Sequence, residues 1–169
     1  MSKPTIGIIG GGQLGSMLST AAKNLNIKTI IFSDDEFAPA QFFSDEFIFC
    51  KYDDDSKIEE FCSKVDFITF EFENIPFDTL SKINNIKKVN PKPSINKIIQ
   101  NRLSEKDFLN KNNIKTTSYI SVKNESELKS SQDFIPGILK TCTLGYDGKG
   151  QYKINNEEEL DNLKVNFEN

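Results

Sequence analysis

The chain of 169 residues contains no histidine, no tryptophan and only one arginine, Arg102. Without histidine, the chain cannot form Ser-His or Cys-His nucleophile pairs or histidine-ligated metal sites. Its three cysteines, Cys50, Cys62 and Cys142, are odd in number and far apart, which fits neither a disulfide framework nor a zinc site. They indicate the reduced thiols of a cytosolic protein.

Long apolar runs and an excess of positive charge are also lacking. No apolar run approaches the ~20 residues that a membrane-spanning helix needs, and residues 1–4 do not resemble a signal peptide. The formal net charge is −4, whereas nucleic-acid-binding surfaces are normally basic. Hydrophobic residues at 37% and charged residues at 27% are typical of a globular protein. We therefore expect a cytoplasmic protein with no nucleic-acid and no membrane partner.

The first 92 residues predict a parallel α/β fold, because short apolar strands alternate with helical stretches. The strands are predicted at residues 5–9, 28–33, 47–49 and 66–72, with a weak one near Val89. In the helix after the first strand, one apolar face is formed by Leu14, Met17, Leu18, Ala21, Ala22 and Leu25. Asp55 is predicted to cap the second helix, and Pro76 to open the third.

The pattern changes after residue 92, which indicates the start of a second domain. Helices are predicted over residues 94–100, 102–111 and 156–163 and from about Asn124. Strands are predicted at residues 119–122, 138–141 and 151–154.

A glycine-rich turn lies between the first strand and the first helix. Gly10, Gly12 and Gly15 satisfy G-x-G-x-x-G, which lets a phosphate approach the helix N-terminus. Asp34 and Asp35 end the next strand, where a dinucleotide would place its ribose. Taken alone, this favours the NAD-binding domain of an oxidoreductase. A parallel sheet also needs a tight first turn whatever it binds, so both interpretations stay open.

A second glycine-rich loop follows a strand that ends at Lys140. It reads GYDGKGQ over residues 145–151. Its glycines let backbone amides bend round phosphate oxygens, while Lys140 and Lys149 supply positive charge. No G-K-[ST] follows, so the loop is not a Walker A motif. The alternative is a glycine-rich hairpin on the surface, without a ligand.

Five segments, taken in order and spacing, resemble the N5-carboxyaminoimidazole ribonucleotide synthetases, which are ATP-grasp ligases of purine biosynthesis. They are GGGQLG (10–15), TFEFENIP (69–76), QNR with EK (100–102 and 105–106), LKT (139–141) and GYDGKGQ (145–151). The resemblance covers essentially the whole chain. The formate-dependent glycinamide ribonucleotide transformylases are similar but usually carry Glu at the position of Gln13.

The resemblance implies an α/β fold with an N-terminal Rossmann-like parallel sheet, the preATP-grasp domain, over residues 1–92. Residues 93–169 would be the first part of an α+β ATP-grasp domain. The implied reaction is ATP-dependent carboxylation of 5-aminoimidazole ribonucleotide with bicarbonate through carboxyphosphate, releasing ADP and phosphate, by a homodimer when full-length. In the family, the Mg²⁺ ligands and the adenine clamp lie beyond residue 169. We therefore expect the fragment alone to lack ligase activity.

The resemblance also assigns site residues. The ATP-binding positions match Arg102, Lys140, Gly145, Tyr146, Asp147, Gly148, Lys149, Gly150 and Gln151. The substrate-binding positions match Gly12, Gln13, Leu14, Glu71, Glu73, Tyr146, Asp147 and Lys149. No catalytic residue and no metal ligand is assigned within the chain. A non-catalytic nucleotide-binding fragment stays a further alternative, beside the NAD-binding domain.

Glu71 is the residue that we expect to hold the amine or the ribose hydroxyls of the ribonucleotide, with Glu73 as second candidate. Residues two apart on a strand point to the same face, so both carboxylates act together if the strand continues through Phe72. The phosphate is expected at the turn formed by residues 10–15. Three residues beside the second loop depart from the family: Thr141 and Cys142 stand where many members are basic, and Leu144 where some have an additional glycine.

Overall fold

The computed structural model describes residues 3–145 and 150–167. The chain divides into two compact units, Met1–Ile99 and Gln100–Asn169. The first unit extends beyond residue 92 because it includes the helix Pro93–Ile99. From this helix, the buried Asn96 side chain donates a hydrogen bond of 3.1 Å to the carbonyl of Ile75. No helix of the described residues is both long and apolar enough to cross a membrane.

The first unit is built on a parallel sheet of four strands with the order β3-β2-β1-β4. The strands are β1 (Thr5–Ile9), β2 (Lys28–Ser33), β3 (Glu46–Phe49) and β4 (Phe67–Phe70). Val89 adds a single parallel bridge to Ile68 in place of the weak strand predicted there. The predicted parallel α/β fold is confirmed.

Four helices of the first unit connect or follow these strands: α1 (Gln13–Asn24), α2 (Asp55–Lys64), α3 (Phe77–Ile86) and α4 (Pro93–Ile99), with a short 3-10 helix at Pro39–Phe42. The main core lies where α2 and α3 meet the strands, and Phe32 and Phe61 stack there with ring centroids 5.1 Å apart. A smaller cluster of Ile8, Ile31 and Ala40 is also buried.

The apolar face of α1 is largely exposed. Met17 is 61% and Leu25 72% exposed, whereas the buried positions of this helix are Gly15, Ser19 and Ala22. Small residues face inward because the backbone lies close to its neighbours: a Cβ added at Gly15 would lie 3.2 Å from the Ala40 side chain. The helix is therefore packed through its small residues and not through its large apolar ones.

The N-cap of α2 differs by one residue from the prediction. The Asp54 carboxylate accepts a hydrogen bond of 3.0 Å from the backbone N–H of Lys57, which identifies Asp54 as the cap. Asp55 lies in the first turn and pairs with Lys82 at 2.7 Å. The prediction that Asp55 caps this helix was wrong, because three successive aspartates offer three candidate caps and apolar spacing does not separate them. At α3, the predicted opening proline is the N-cap, Pro76.

The second unit contains helices α5 (Arg102–Lys111), α6 (Glu125–Lys129) and α7 (Glu157–Asn162) and the antiparallel strands β5 (Gly137–Lys140) and β6 (Gln151–Ile154). Its buried cluster consists of Leu128, Ile154 and Leu160. The strand predicted at residues 119–122 is absent from this described segment. The segment instead runs beside α5, where the Tyr119 hydroxyl donates to the Asp107 carboxylate at 2.6 Å.

Candidate functional site

The glycine turn of the first unit lies at the carboxyl edge of the parallel sheet, where open α/β sheets bind their ligands. The backbone N–H of Gly10 donates to the carbonyl of Phe32 at 2.9 Å, which ties the turn to the end of β2. Gly10 has a φ of 98°, a conformation that residues with a Cβ rarely adopt. Gly12 then forms the N-cap of α1.

Glu71 reaches into this turn from the end of β4. Its backbone N–H donates to the carbonyl of Ile9 at 3.0 Å, and its carboxylate Oε1 accepts from the backbone N–H of Gly12 at 2.9 Å. The packing is tight, since a Cβ on Gly10 would lie 2.7 Å from that same oxygen. Two residues predicted for the substrate side, Gly12 and Glu71, are therefore in direct contact.

This contact bears on the phosphate site that we expected at the turn, which stays a prediction. We expected the turn to receive the phosphate of the ribonucleotide. The Gly12 amide instead already donates to a carboxylate, and a phosphate beside Glu71 would face charge of its own sign. The anion at this turn is supplied by the chain itself.

Glu73 does not share a strand face with Glu71. The strand β4 ends at Phe70, and the backbone bends at Glu71 so that its carboxylate meets Gly12. The expected strand through residue 72 was too long, because period-two alternation holds only while the backbone stays extended. Glu73 lies exposed beyond the bend, and the two other predicted substrate residues, Gln13 and Leu14, are exposed in the first turn of α1.

Tyr52 lies at the same edge and was missed in the sequence. Its ring packs against Phe32 with centroids 5.8 Å apart. Burial raises the pKa of the Tyr52 phenol, with the Asp34 carboxylate next in effect and Glu71 contributing least. The one signal in the sequence is a tyrosine directly before an acidic run, which apolar periodicity does not detect.

The two aspartates after β2 take different roles from the one that a dinucleotide site would give them. Asp35 builds the turn after the strand: its carboxylate accepts from the backbone N–H of Phe37 at 2.9 Å, and its own N–H donates to the Ser33 hydroxyl at 3.2 Å. The negative charge of Asp34 contributes to raising the pKa of the Tyr52 phenol. Asp35 is therefore held by the local backbone.

In the second unit, the strands β5 and β6 bring predicted nucleotide-binding residues together. Lys140 at the end of β5 pairs with Gln151 at the start of β6. Beyond them, the backbone N–H of Thr141 donates to the carbonyl of Gly150 at 3.0 Å. The glycine has a φ of 63°, so the hairpin closes through a conformation that favours glycine.

Arg102 lies at the base of the second glycine loop. Its backbone N–H donates to the carbonyl of Cys142 at 2.8 Å, and its guanidinium Nη2 donates to the carbonyl of Gly145. The Asn101 side chain caps α5 here by accepting from two backbone N–H groups, at 3.1 and 3.0 Å. The other predicted loop residues, Tyr146, Asp147, Gly148 and Lys149, lie outside the described residues.

Within residues 3–145 and 150–167, no three His, Cys, Asp or Glu side chains come together as a metal-binding group. The acidic residues at the sheet edge are used otherwise, since Glu71 binds a backbone amide and Asp35 closes a turn.

The family is shown by comparison with known proteins. The ribonucleotide synthetase preATP-grasp domain matches residues 3–100, which is more than half of the chain. The chain belongs to this family. An ATP-grasp domain matches residues 107–169. The preATP-grasp domain thus corresponds to the parallel sheet with the Glu71 turn, and the ATP-grasp match covers most of the second unit.

Two curated relatives from different organisms carry the same name. The chain is similar to the N5-carboxyaminoimidazole ribonucleotide synthase of Staphylococcus aureus (strain COL), with 38% identity over 92% of the chain and 42% of that protein. It is also similar to the synthase of Brucella melitensis biotype 1, with 40% identity over 92% of the chain and 43% of the relative. A crystal structure of the Staphylococcus aureus enzyme complexed with ADP superposes with a TM-score of 0.85 at 37% identity, covering 94% of this chain and 44% of that one. The chain therefore spans less than half the length of these relatives.

Proposed function

We propose that the chain is the N-terminal part of an ATP-grasp ligase of purine biosynthesis. This enzyme would use ATP and bicarbonate to carboxylate 5-aminoimidazole ribonucleotide, giving N5-carboxyaminoimidazole ribonucleotide, ADP and phosphate. Similarity over 92% of the chain to synthases of that name supports the proposal. The structural observation that carries it is the Glu71 carboxylate held on the Gly12 amide at the ligand-binding edge of the sheet.

Glu71 is suited to bind the part of the ribonucleotide that bears the amine and the hydroxyls. A carboxylate offers two oxygens with about four acceptor positions, and the Gly12 amide uses one of them. The remaining positions can accept from the exocyclic amine or the ribose hydroxyls. In this proposal the phosphate of the ribonucleotide binds away from the turn, because Glu71 repels it there.

The NAD-binding alternative is disfavoured by the same contact. A dinucleotide places its pyrophosphate on the amides of the first glycine turn. In this chain, a carboxylate already accepts from the Gly12 amide. An oxidoreductase domain would also give no role to Lys140 at the β5–β6 hairpin or to Arg102 at the base of the second loop.

The second unit is proposed to supply the ATP site. Arg102 and Lys140 are the cationic residues that we assign to this site from the described part of the chain. Gly145 begins the second glycine-rich loop, and Gly150 and Gln151 end it. Tyr146, Asp147 and Lys149 remain sequence predictions for both ATP and the ribonucleotide, and Gly148 for ATP. The Mg²⁺ ligands are expected beyond residue 169, so the proposal contains no step through a metal. Mg²⁺ use, a homodimeric assembly and a cytoplasmic location are proposed for the whole protein only.

The substitution Glu71→Gln tests the assignment of the substrate site. Glutamine keeps an oxygen for the Gly12 amide but replaces the other acceptor by a donor and removes the charge. We expect the dissociation constant for 5-aminoimidazole ribonucleotide to rise about 10- to 100-fold, since loss of a buried polar partner costs ~1–3 kcal/mol. Isothermal titration calorimetry on the full-length enzyme measures this directly, since the adenine clamp is expected beyond residue 169. Binding of ATP should not change.

The variant Glu73→Gln tests the second candidate in the same titration, and Glu59→Gln, at an exposed position of α2, is the matched control. An equal loss of affinity for both ligands in Glu71→Gln would indicate a folding defect. Unchanged binding of the ribonucleotide would remove Glu71 from the site. Titration with NADH, followed by its fluorescence, tests the alternative: saturable binding would support an oxidoreductase domain instead.

A further inference from the structure

We propose that Arg102 is a positioning residue of the nucleotide site: it holds the turn at residues 142–145, where the second glycine-rich loop begins, in the conformation that receives ATP. This inference rests on the proposed function, because it gives Arg102 a further role at the same ATP site. The resemblance to the family assigns Arg102 to the nucleotide itself. The contacts within the chain add a role that Arg102 performs before any nucleotide binds.

Arg102 binds both ends of this short turn. Its backbone N–H donates to the carbonyl of Cys142 at 2.8 Å, and its guanidinium Nη2 donates to the carbonyl of Gly145. Because both carbonyls face the same residue, the chain between them has to fold back on itself. One residue of α5 therefore sets the path of the backbone up to the first glycine of the loop.

The turn is held by hydrogen bonds and not by a buried core. Leu144 has a φ of 57°, in the left-handed region that favours glycine. The side chains of Cys142, Thr143 and Leu144 are all exposed, so burial of apolar surface does not fix them. The two hydrogen bonds from Arg102, one on each side of Leu144, thus offset an unfavourable backbone conformation.

The guanidinium extends from a firmly anchored base. Arg102 is the first residue of α5, and the Asn101 side chain caps this helix by accepting from the backbone N–H groups of Leu103 and Ser104 at 3.1 and 3.0 Å. A positive charge at the first position of a helix opposes the helix dipole, so an arginine there does not favour the helix. Its contacts with the turn explain the residue better.

Arginine suits this role because it carries several donors in one rigid plane. A guanidinium has five N–H donors, and the Gly145 carbonyl uses one of them. The others are available for phosphate oxygens, so one group orients both the nucleotide and the start of the loop. Lysine offers a compact point charge and cannot replace this geometry. Among the 21 basic residues of the chain, only this one is an arginine.

Glycine at position 144 tests whether Arg102 acts through the turn. In the full-length enzyme, Arg102→Lys should weaken ATP binding about tenfold or more, because hydrogen bonds from a charged group are lost. Adding Leu144→Gly should restore the affinity about threefold or more, because glycine adopts the left-handed conformation without help from Arg102. Leu144→Ala in the same background is the matched control: it keeps the Cβ and should restore nothing. Isothermal titration calorimetry compares the variants.

A second measurement uses the unsubstituted chain without nucleotide. Arg102 is the only arginine of the 169 residues, so arginine labelled at its side-chain nitrogens gives the NMR signals of one guanidinium. If Nη2 is bound to the Gly145 carbonyl, rotation of the group is slow and the two Nη atoms give separate signals. An arginine that waits for a phosphate rotates freely and gives one averaged signal.

The outcomes distinguish the inference from the proposed function. Three results overturn the inference and leave the proposed function standing: an averaged guanidinium signal in a chain whose second unit is folded, undiminished ATP affinity in Arg102→Lys, or no restoration by Leu144→Gly. Separate Nη signals together with restoration by glycine, and not by alanine, support it. Failure of the unsubstituted full-length enzyme to bind ATP overturns the proposed function, and with it the role of Arg102.

Discussion

Leu144 adopts a backbone conformation that disfavours leucine. Its φ is 57°, in the left-handed region, and its side chain is 71% exposed, so little burial compensates for the strain. For a residue with a Cβ this conformation costs roughly 1–2 kcal/mol. Leu144 is also one of the positions at which the chain departs from the family that it resembles, since some members have an additional glycine there. The backbone now gives the physical reason for that glycine.

Replacing Leu144 by glycine should therefore stabilise the second unit. We expect the free energy of unfolding to rise by about 0.5–1 kcal/mol, which is the relief of strain less the extra entropy of glycine in the unfolded chain. Urea denaturation followed by signals of the second unit measures the change. Leu144→Ala is the control, since it removes the side chain and keeps the Cβ. An equal gain in both variants would mean that the exposed side chain, and not the backbone, was unfavourable.

Individual site residues were partly predictable from the sequence. The glycine motif and the position of Glu71 predicted that both lie at one edge of the sheet, because the carboxyl ends of parallel strands meet there. The hydrogen bond from Gly12 to Glu71 was not predictable, since it depends on a bend after β4 that no local pattern encodes. Tyr52 was missed for a similar reason: Phe32, against which its ring packs, comes from a different part of the chain.

At the scale of elements, the start of α2 distinguishes two adjacent aspartates. Asp54 accepts a hydrogen bond from the backbone N–H of Lys57, whereas Asp55 makes an ion pair with Lys82 that leaves its side chain 73% exposed. A capping hydrogen bond satisfies a backbone donor that has no partner within the helix. An exposed ion pair contributes little because solvent screens it.

The substitutions Asp54→Ala and Asp55→Ala should thus differ in effect. Asp54→Ala is expected to lower the free energy of unfolding of the first unit by ~1 kcal/mol. Asp55→Ala is expected to change it by about 0.5 kcal/mol or less. Chemical denaturation of both variants under the same conditions makes the comparison. The reverse order of effects would restore Asp55 as the functional cap.

Secondary-structure elements were predicted better where local chemistry defines them. The helix α5 agrees with its predicted limits, residues 102–111, and its cap Asn101 binds two backbone N–H groups. The segment 119–122 has strand-like residues, yet it packs through Tyr119 on α5 and joins no sheet. In α1 the apolar spacing suggested a buried face, but close packing selected Gly15, Ser19 and Ala22. Tertiary contacts determined the conformation of the segment 119–122 and the buried face of α1.

At the scale of the whole molecule, the two units differ in how much core each one has. The first unit buries a large cluster around Phe32, Phe61 and Leu80, contributed by strands and helices together. Among the residues that the structure describes, the cluster of the second unit has three buried members, Leu128, Ile154 and Leu160. Because stability depends mainly on buried apolar area, we expect the second unit to be the less stable one.

Truncation of Leu160, which is 1% exposed, should therefore unfold the second unit selectively. Leu160→Ala is expected to cost about 2–5 kcal/mol, which is comparable with the whole stability of so small a core. Amide NMR spectra should show collapsed dispersion for residues of the second unit and unchanged signals for β1 to β4. Leu144→Ala is the surface control and should leave both sets of signals in place. Simultaneous loss of both sets would show that the chain folds as one cooperative body.

The contact between Glu71 and Gly12 also bears on how protein sequences with a glycine-rich first turn are classified. A glycine-rich turn after a first strand is widely taken as a sign of dinucleotide-dependent enzymes, and the glycines of this chain alone would place it among dehydrogenases. The residue that distinguishes the two kinds of protein is Glu71, which lies 59 positions after Gly12. Its carboxylate accepts a hydrogen bond from the Gly12 amide in the turn. A search pattern that pairs the glycines with the residue after the fourth strand would therefore separate two kinds of protein that the glycines alone merge.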